Sequence, residues 1–156
     1  MLEMEVLGVQ AFVRSVELAP AVLEVYNRNA MELSVRLVEA EAKSRVPRRT
    51  GRLFSSIDGR VETLPNEIEG RVGTDVEYAR AVEFGATAHD IVPSMATVLA
   101  FDIGGQHVFA RKVRHPGTKP RPYMAPALEA SEGGIKALFR AAAARLVKHL
   151  STGGAP

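Results

Sequence analysis

The stretch that decides the fold is Pro20 to Arg45, PAVLEVYNRNAMELSVRLVEAEAKSR. It contains no glycine, and its one proline stands at the first position, where a helix tolerates a missing N–H. Its apolar residues recur at steps of three and four, which places them on one face of an α-helix. That stripe consists of Leu23, Tyr26, Ala30, Leu33, Leu37 and Ala40. We expect a helix of about 25 residues, roughly 37 Å long, whose stripe needs a cover of strands.

Shorter elements precede this helix. Met4–Leu7 predicts a short edge strand that Gly8 ends, and Val9–Leu18 predicts a short separate helix. The long helix must stop by Val46, because Pro47 disfavours helical geometry in the residue before it.

Two β-hairpins are predicted downstream. In Gly59–Thr74, apolar and polar residues alternate on both sides of a two-residue turn at Pro65-Asn66. In Val98–Val113 they alternate around Gly104-Gly105, where glycine supplies the positive φ of a tight turn. Between the hairpins, Asp75–Gly85 predicts one or two turns of helix.

The remaining segments predict two loops and a last helix. Ala86–Ala96 has no regular pattern, and His115–Pro122 holds three prolines and one glycine, so both read as loops. Tyr123–Leu150 predicts a helix, with a break at Gly133-Gly134 because glycine costs about 1 kcal/mol relative to alanine. The fold class is therefore α+β: an antiparallel sheet of about four to five strands packed against the long N-terminal helix, with a short helix and a C-terminal helix.

Composition limits the class of protein. A chain of 156 residues fits one domain, which we place at residues 1–150 with a flexible tail at 151–156. Apolar content is 46% and charged content 24%, as in ordinary globular chains, and cysteine is absent, which excludes disulfides and thiolate chemistry. No apolar run reaches the roughly 20 residues of a membrane span, and the acidic N-terminus does not fit a signal peptide. We expect a protein made in the cytoplasm that does not bind membranes.

Charge is unevenly distributed along the chain, although its net value is only +2. Residues 1–44 hold seven glutamates against four basic residues, whereas residues 45–60 hold five arginines against one aspartate. A second basic segment, from Arg111 to Arg121, has no acid. Such segments are either solvated loops or surfaces that complement acidic regions on another copy.

Signals for catalysis or ligand binding are weak. The four histidines lack a metal-ligand spacing, and there is no Gly-x-Ser-x-Gly elbow, Walker loop or Gly-x-Gly-x-x-Gly. Glu77 and Glu83 could form a carboxylate pair, but the expected role is a solvated face or ion pairing with Arg80. We predict no catalytic residue, no metal and no cofactor.

Nucleic-acid binding is an alternative from another class. The segments Arg45–Arg49 and Lys112–Pro116 could contact phosphates. No aromatic residues interleave with these basic residues as a stacking platform would require, and no known nucleic-acid-binding motif occurs. A basic DNA-binding accessory protein therefore stays an alternative.

Four motifs in the same order resemble those of a small neck or tail-completion protein family of long-tailed bacteriophages. Val46–Ile57, VPRRTGRLFSSI, is similar to its P-x-x-T-G-x-L-x-x-S-I signature, and Tyr78–Gly85, YARAVEFG, to its Y-A-x-x-V-E-F-G segment. Val108–Gly117, VFARKVRHPG, resembles the end of its hairpin, V-F-x-K-x-V-x-H-P-G. Arg121–Leu128, RPYMAPAL, resembles the start of its helix, R-P-F-L-x-P-A-L.

The resemblance implies a structural virion protein at the head–tail junction, without catalytic residues. Its implied partners are copies of itself in a ring and the adjacent head-completion, connector and tail proteins. Genomic DNA would pass through the lumen without sequence-specific binding. A tail terminator or another minor tail subunit is the alternative within virion proteins.

We expect the two loops to be mobile in the free protein and to order on assembly, together with the basic residues that follow the long helix. The candidate assembly contacts are Arg48, Arg49, Arg52, His89, Lys112, Arg114, His115, Lys119 and Arg121.

Overall fold

The computed structural model describes the backbone of residues 9–94 and 96–152, and the side chains of these residues apart from 9–16 and 18. The chain forms two compact units. The first contains the residues up to Asp75 and those from Tyr123 onward, and the second contains Val76–Pro122. The prediction of a single domain stays a prediction. The strand expected at Met4–Leu7 lies outside the described residues.

The first unit is built on helix α1, Val9–Arg45, which has 37 residues and a length of roughly 55 Å at ~1.5 Å per residue. The predictions of a helix starting at Pro20 and of a separate helix at Val9–Leu18 were wrong, because Pro20 lies inside one continuous helix. A proline there removes one backbone hydrogen bond, and neither flanking segment contains a glycine that would turn this loss into a break. The helix ends where expected, before Pro47.

The buried face of α1 differs from the predicted one, with which it shares Ala30. Leu23, Leu33 and Leu37 of the predicted stripe are 42%, 48% and 37% exposed. The side chains that are buried on α1 are small, which suits the close approach of neighbouring elements to the helix axis. They are Val22, Ala30, Ser34, Val35, Val38 and Ala42.

Helix α4, Met124–Thr152, packs against α1. The ring of Tyr26 meets that of His149 at 6.2 Å, and Leu37 lies against Gly134, so the two helices run in opposite directions. The predicted break at Gly133-Gly134 was wrong, because α4 is continuous. The missing side chain of Gly134 makes room for Leu37, and this packing offsets the poor helix propensity of glycine.

The end of α4 overlaps the predicted tail. Ser151 and Thr152 belong to the helix. Residues 153–156 lie outside the described residues.

The first predicted hairpin is confirmed. Strands β1, Asp58–Leu64, and β2, Glu67–Gly73, pair antiparallel around the turn at Pro65-Asn66. The hairpin packs on α1 through two glycines whose missing side chains make room for the helix. A Cβ at Gly59 would lie 2.3 Å from Val35 Cγ1, and one at Gly70 would lie 2.6 Å from Met31 Sδ.

The second unit contains α3, Ala79–Phe84, and four short strands. Strands β4, Leu99–Ile103, and β5, Gln106–Ala110, form the second predicted hairpin, with Gly104 and Gly105 at φ 58° and 85°. Strands β3, His89–Ile91, and β6, Val113–His115, form a ladder in segments that were predicted to be mostly loop.

The fold class is α+β, but the sheets are smaller than predicted. The described residues form three two-stranded antiparallel sheets, and no sheet of four or five strands joins them. Each sheet consists of one pair of strands: β1 with β2, β3 with β6, and β4 with β5. Helix α4 and the β1–β2 hairpin together cover most of the buried face of α1. None of the helices in the described part of the chain has the length and apolarity that crossing a bilayer requires.

Candidate assembly surfaces

A basic connector, residues 46–57, joins α1 to β1 and contains helix α2, Arg52–Ser56. Val46, Leu53 and Ile57 anchor it, with exposures of 4%, 4% and 1%. At the middle of the connector, Gly51 adopts φ 78°, a left-handed conformation that favours glycine. The three buried side chains hold the segment down, and its arginines lie on the outside.

The arginines of the connector differ in their surroundings. The Arg48 guanidinium lies 4.1 Å from the centre of the Phe54 ring, within cation–π distance, and Lys43 Nζ lies 6.0 Å from it. Arg49 and Arg52 are exposed and form no ion pair among the described residues. The connector therefore presents guanidinium groups that are free to bind an acidic surface.

The ladder of β3 and β6 brings two histidines together in the second unit. His89 and His115 are cross-strand partners, and their rings stack with centroids 5.1 Å apart. The backbone N–H of Gly117 donates to Nδ1 of His115 at 3.1 Å, which places the proton of a neutral His115 on Nε2. His89 Nδ1 lies 3.0 Å from the carbonyl oxygen of Thr87. Local backbone contacts thus orient both rings.

Charges flank the histidine pair on the same ladder. Asp90 faces Arg114 in the strand register, but its carboxylate pairs with Lys112 Nζ at 2.8 Å. Arg114 is exposed and has no acidic partner within the described chain. The ladder therefore carries one satisfied ion pair and one free guanidinium.

The segment after β6 is tied to α3 rather than loose. Ala86 and Thr118 form an isolated bridge through two backbone hydrogen bonds of 3.0 and 2.9 Å, and Arg121 N donates to Val82 O at 2.7 Å. Gly117 adopts φ 88°, and a Cβ there would lie 2.3 Å from Ala86 O. The prediction that residues 86–96 and 115–122 are patternless loops was wrong where these pairs form.

The nine predicted contacts fall into two groups. Arg48, Arg49 and Arg52 lie on the connector of the first unit. The other six lie in the second unit, and most of these share the β3–β6 ladder or the segment bridged to α3. They are His89, Lys112, Arg114, His115, Lys119 and Arg121. Their role in assembly stays a prediction.

The carboxylate of Glu83 in α3 is buried, with 7% exposure, so the expectation that it belongs to a solvated face was wrong. The helical spacing could have indicated this burial, because Glu83 follows Ala79 by four residues and Ala79 is also buried.

The carboxylate of Glu132 in α4 accepts a hydrogen bond from Lys136, which lowers the pKa of Glu132 below its usual 4.5. No cluster of three or more metal-ligating side chains occurs among the described residues.

The comparison with protein families decides the identification. Residues 10–85, just under half of the chain, match the HK97-gp10-like family model, described as "Bacteriophage HK97-gp10, putative tail-component". Over these residues, the chain is similar to the HK97-gp10-like family. The match spans most of α1 and runs to the end of α3, and it includes the motifs at Val46–Ile57 and Tyr78–Gly85.

The resemblance to a phage neck and tail-completion family is thereby confirmed, and the family is one of structural tail components. No curated protein and no solved structure matches the chain significantly. The motifs at Val108–Gly117 and Arg121–Leu128 lie beyond the matched region of this HK97-gp10-like chain.

Proposed function

We propose that this HK97-gp10-like chain is a virion protein of the phage neck that joins head to tail as a homo-oligomeric ring. The observation that carries the proposal is the family match over residues 10–85. The neighbours of the ring would be a head-completion or connector protein on one side and a tail protein on the other. The genome would pass through its lumen without sequence-specific contacts.

The charge distribution supports assembly between copies. Exposed arginines of the connector and of β6 have no acidic partner within the described chain, while Glu17 and Glu24 of α1 are exposed and likewise unpaired. Opposite charges on separate surfaces of one chain favour contacts in which different patches meet, and such contacts form a ring when the rotation between copies closes.

Deletion of the gene tests the proposal. A neck protein is required after heads and tails have formed, so we expect lysates with DNA-filled heads and tails of normal length that remain unjoined, seen by negative-stain electron microscopy. Complementation by the intact gene should restore joined particles. Joined, infectious particles in the deletion lysate would contradict the proposal.

The same micrographs separate the main alternative, a tail terminator. A subunit that caps the tail tube also fixes where polymerisation stops, so its loss should give tails of irregular length. We expect a narrow length distribution.

The exposed arginines of the connector also keep a DNA-binding accessory role open to test. Phosphate contacts release counterions, so retention on DNA should fall steeply between low and moderate salt if DNA were the ligand. For a neck subunit, we expect the purified protein to pass through a DNA column at about 0.15 M salt, where exposed charges are screened over roughly 8 Å.

A further inference from the structure

We propose that the β4–β5 hairpin is an assembly arm whose apolar face docks on the exposed leucines of α1 in a second copy of this chain. The inference rests on the proposed function, because it names the contact between neighbouring copies. It assigns a role to two partly exposed apolar surfaces of the chain.

The hairpin has one mostly apolar face and one mixed face. The cross-strand register places Leu99, Phe101, Ile103, Val108 and Ala110 on the same side. Ile103 at the tip is exposed, and the other four are half-buried. On the other side, His107 Nδ1 lies 2.5 Å from a carboxylate oxygen of Asp102, beside the exposed ring of Phe109. Neither strand packs extensively against another element of the second unit. A two-stranded hairpin is marginally stable in water, so its apolar face needs a cover.

The leucine stripe of α1 is the matching surface. Leu23, Leu33 and Leu37 are on one face of the helix and are 42%, 48% and 37% exposed. The stripe extends about 21 Å at ~1.5 Å per residue, and a strand of five residues extends about 17 Å at ~3.3 Å per residue. The two surfaces therefore agree in length as well as in apolar character.

Two unpaired charges, one on each surface, indicate that the two surfaces meet and in which direction the hairpin lies along α1. Arg111, at the root of the hairpin, is exposed and has no acidic partner among the described residues, and Glu24 beside Leu23 is exposed without a basic one. Pairing the root of the arm with the Glu24 end of the stripe places the tip, Ile103, toward Leu33 and Leu37. A second copy supplies both the apolar cover and the opposite charge.

Site-directed disulfides test this geometry cleanly, because the natural chain has no cysteine. One copy carries Leu33→Cys and a differently tagged copy carries Ile103→Cys. Mixed under mild oxidation, the two copies should form a cross-linked heterodimer about tenfold faster than a control pair, because docking raises the effective concentration of the two thiols. The control pair is Val25→Cys with Phe109→Cys, which are exposed and lie off the docking faces.

Equal rates for the two pairs would overturn the inference. So would a chain carrying both Leu33→Cys and Ile103→Cys that closes an internal disulfide at high dilution, since the arm would then be covered by its own chain. A charge exchange adds direction: Glu24→Arg and Arg111→Glu should each slow the cross-link, and a mixture with both changes in every copy should restore it. Failure to restore it would exclude the proposed direction.

The outcome is separable from that of the proposed function. If Ile103→Ser leaves particles joined while deletion of the gene leaves them unjoined, the arm is not the assembly contact and the neck role stands. If deletion itself leaves particles joined, the neck role fails whatever the cross-linking shows.

Discussion

Individual glycines determine how closely the elements of the first unit approach one another. Gly59 and Gly70 face Val35 and Met31 of α1, and Gly134 of α4 faces Leu37. A methyl group at any of these three positions would meet a side chain at less than 3 Å. The glycines in β1 and β2 meet the β-branched Val35, which has little rotamer freedom in a helix.

Replacement of Gly59 by alanine should therefore destabilise the fold. We expect Gly59→Ala to lower the free energy of unfolding by about 1–3 kcal/mol, as overpacking typically does. Gly73→Ala is the matched control in the same hairpin, because nothing lies within 4 Å of a Cβ there. Denaturant unfolding of the two variants measures the difference, and equal stabilities would contradict the described packing of β1 on α1.

The glycine pair of α4 gives a second comparison. Gly133→Ala meets nothing within 4 Å, so it should raise the free energy of unfolding by about 0.5–1 kcal/mol through better helix propensity. Gly134→Ala should gain less, because Leu37 must move from its place 2.6 Å from the new Cβ. A larger gain at Gly134 than at Gly133 would show that α4 does not approach α1 there.

At the scale of elements, local signals were predictable and distant ones were not. Both hairpins could be predicted from the alternation of apolar and polar residues around a two-residue turn. At Gly104-Gly105 the two glycines also indicate the positive φ angles that such a turn requires. The β3–β6 ladder joins strands of three residues that no turn connects, so nothing local indicates the pairing of His89 with His115.

The face of α1 was predicted wrongly for a related reason. Periodicity identifies an apolar stripe, but α1 is covered by both α4 and the β1–β2 hairpin, and these bury the small residues between them. A single helical pattern cannot tell which of several apolar rows is covered when two neighbours pack on one helix. The exposed leucines lie on the part of α1 that neither α4 nor the β1–β2 hairpin covers fully.

One ion pair on α4 gives a pH-dependent prediction. The Lys136 hydrogen bond lowers the pKa of Glu132 in the folded state below its usual 4.5. The stabilisation is therefore present above pH 4.5 and is lost as the pH falls through the lowered value. Carboxyl NMR titration should show the pKa of Glu132 rising toward its usual value in Lys136→Gln. An unchanged titration would show that the pair does not form in solution.

At the scale of the whole molecule, the sequence predicted which candidate contacts are charged, but not which of them lie together or which are already paired. The sequence shows that residues 111–121 are basic and free of acids. The structure adds that Lys112 is bound to Asp90 while Arg114 is free, which the sequence could not indicate because their strand partner lies more than 20 residues away.

Charge reversal on this ladder is therefore expected to affect assembly rather than folding. Lys112→Glu combined with Arg114→Glu should leave the circular dichroism spectrum unchanged, since both side chains are exposed. It should reduce the yield of infectious particles strongly, with heads and tails accumulating separately. Arg140→Glu, an exposed change on α4, is the control. A normal particle yield from the double variant would remove this ladder from the assembly surface.

The most direct test of the central claim is the position of the protein in the particle. A tagged copy that complements the gene deletion can be labelled with gold and located by negative-stain electron microscopy of purified particles. We predict label at the head–tail junction of joined particles. Label along the tail tube or at its far end, or no label on particles at all, would contradict the account.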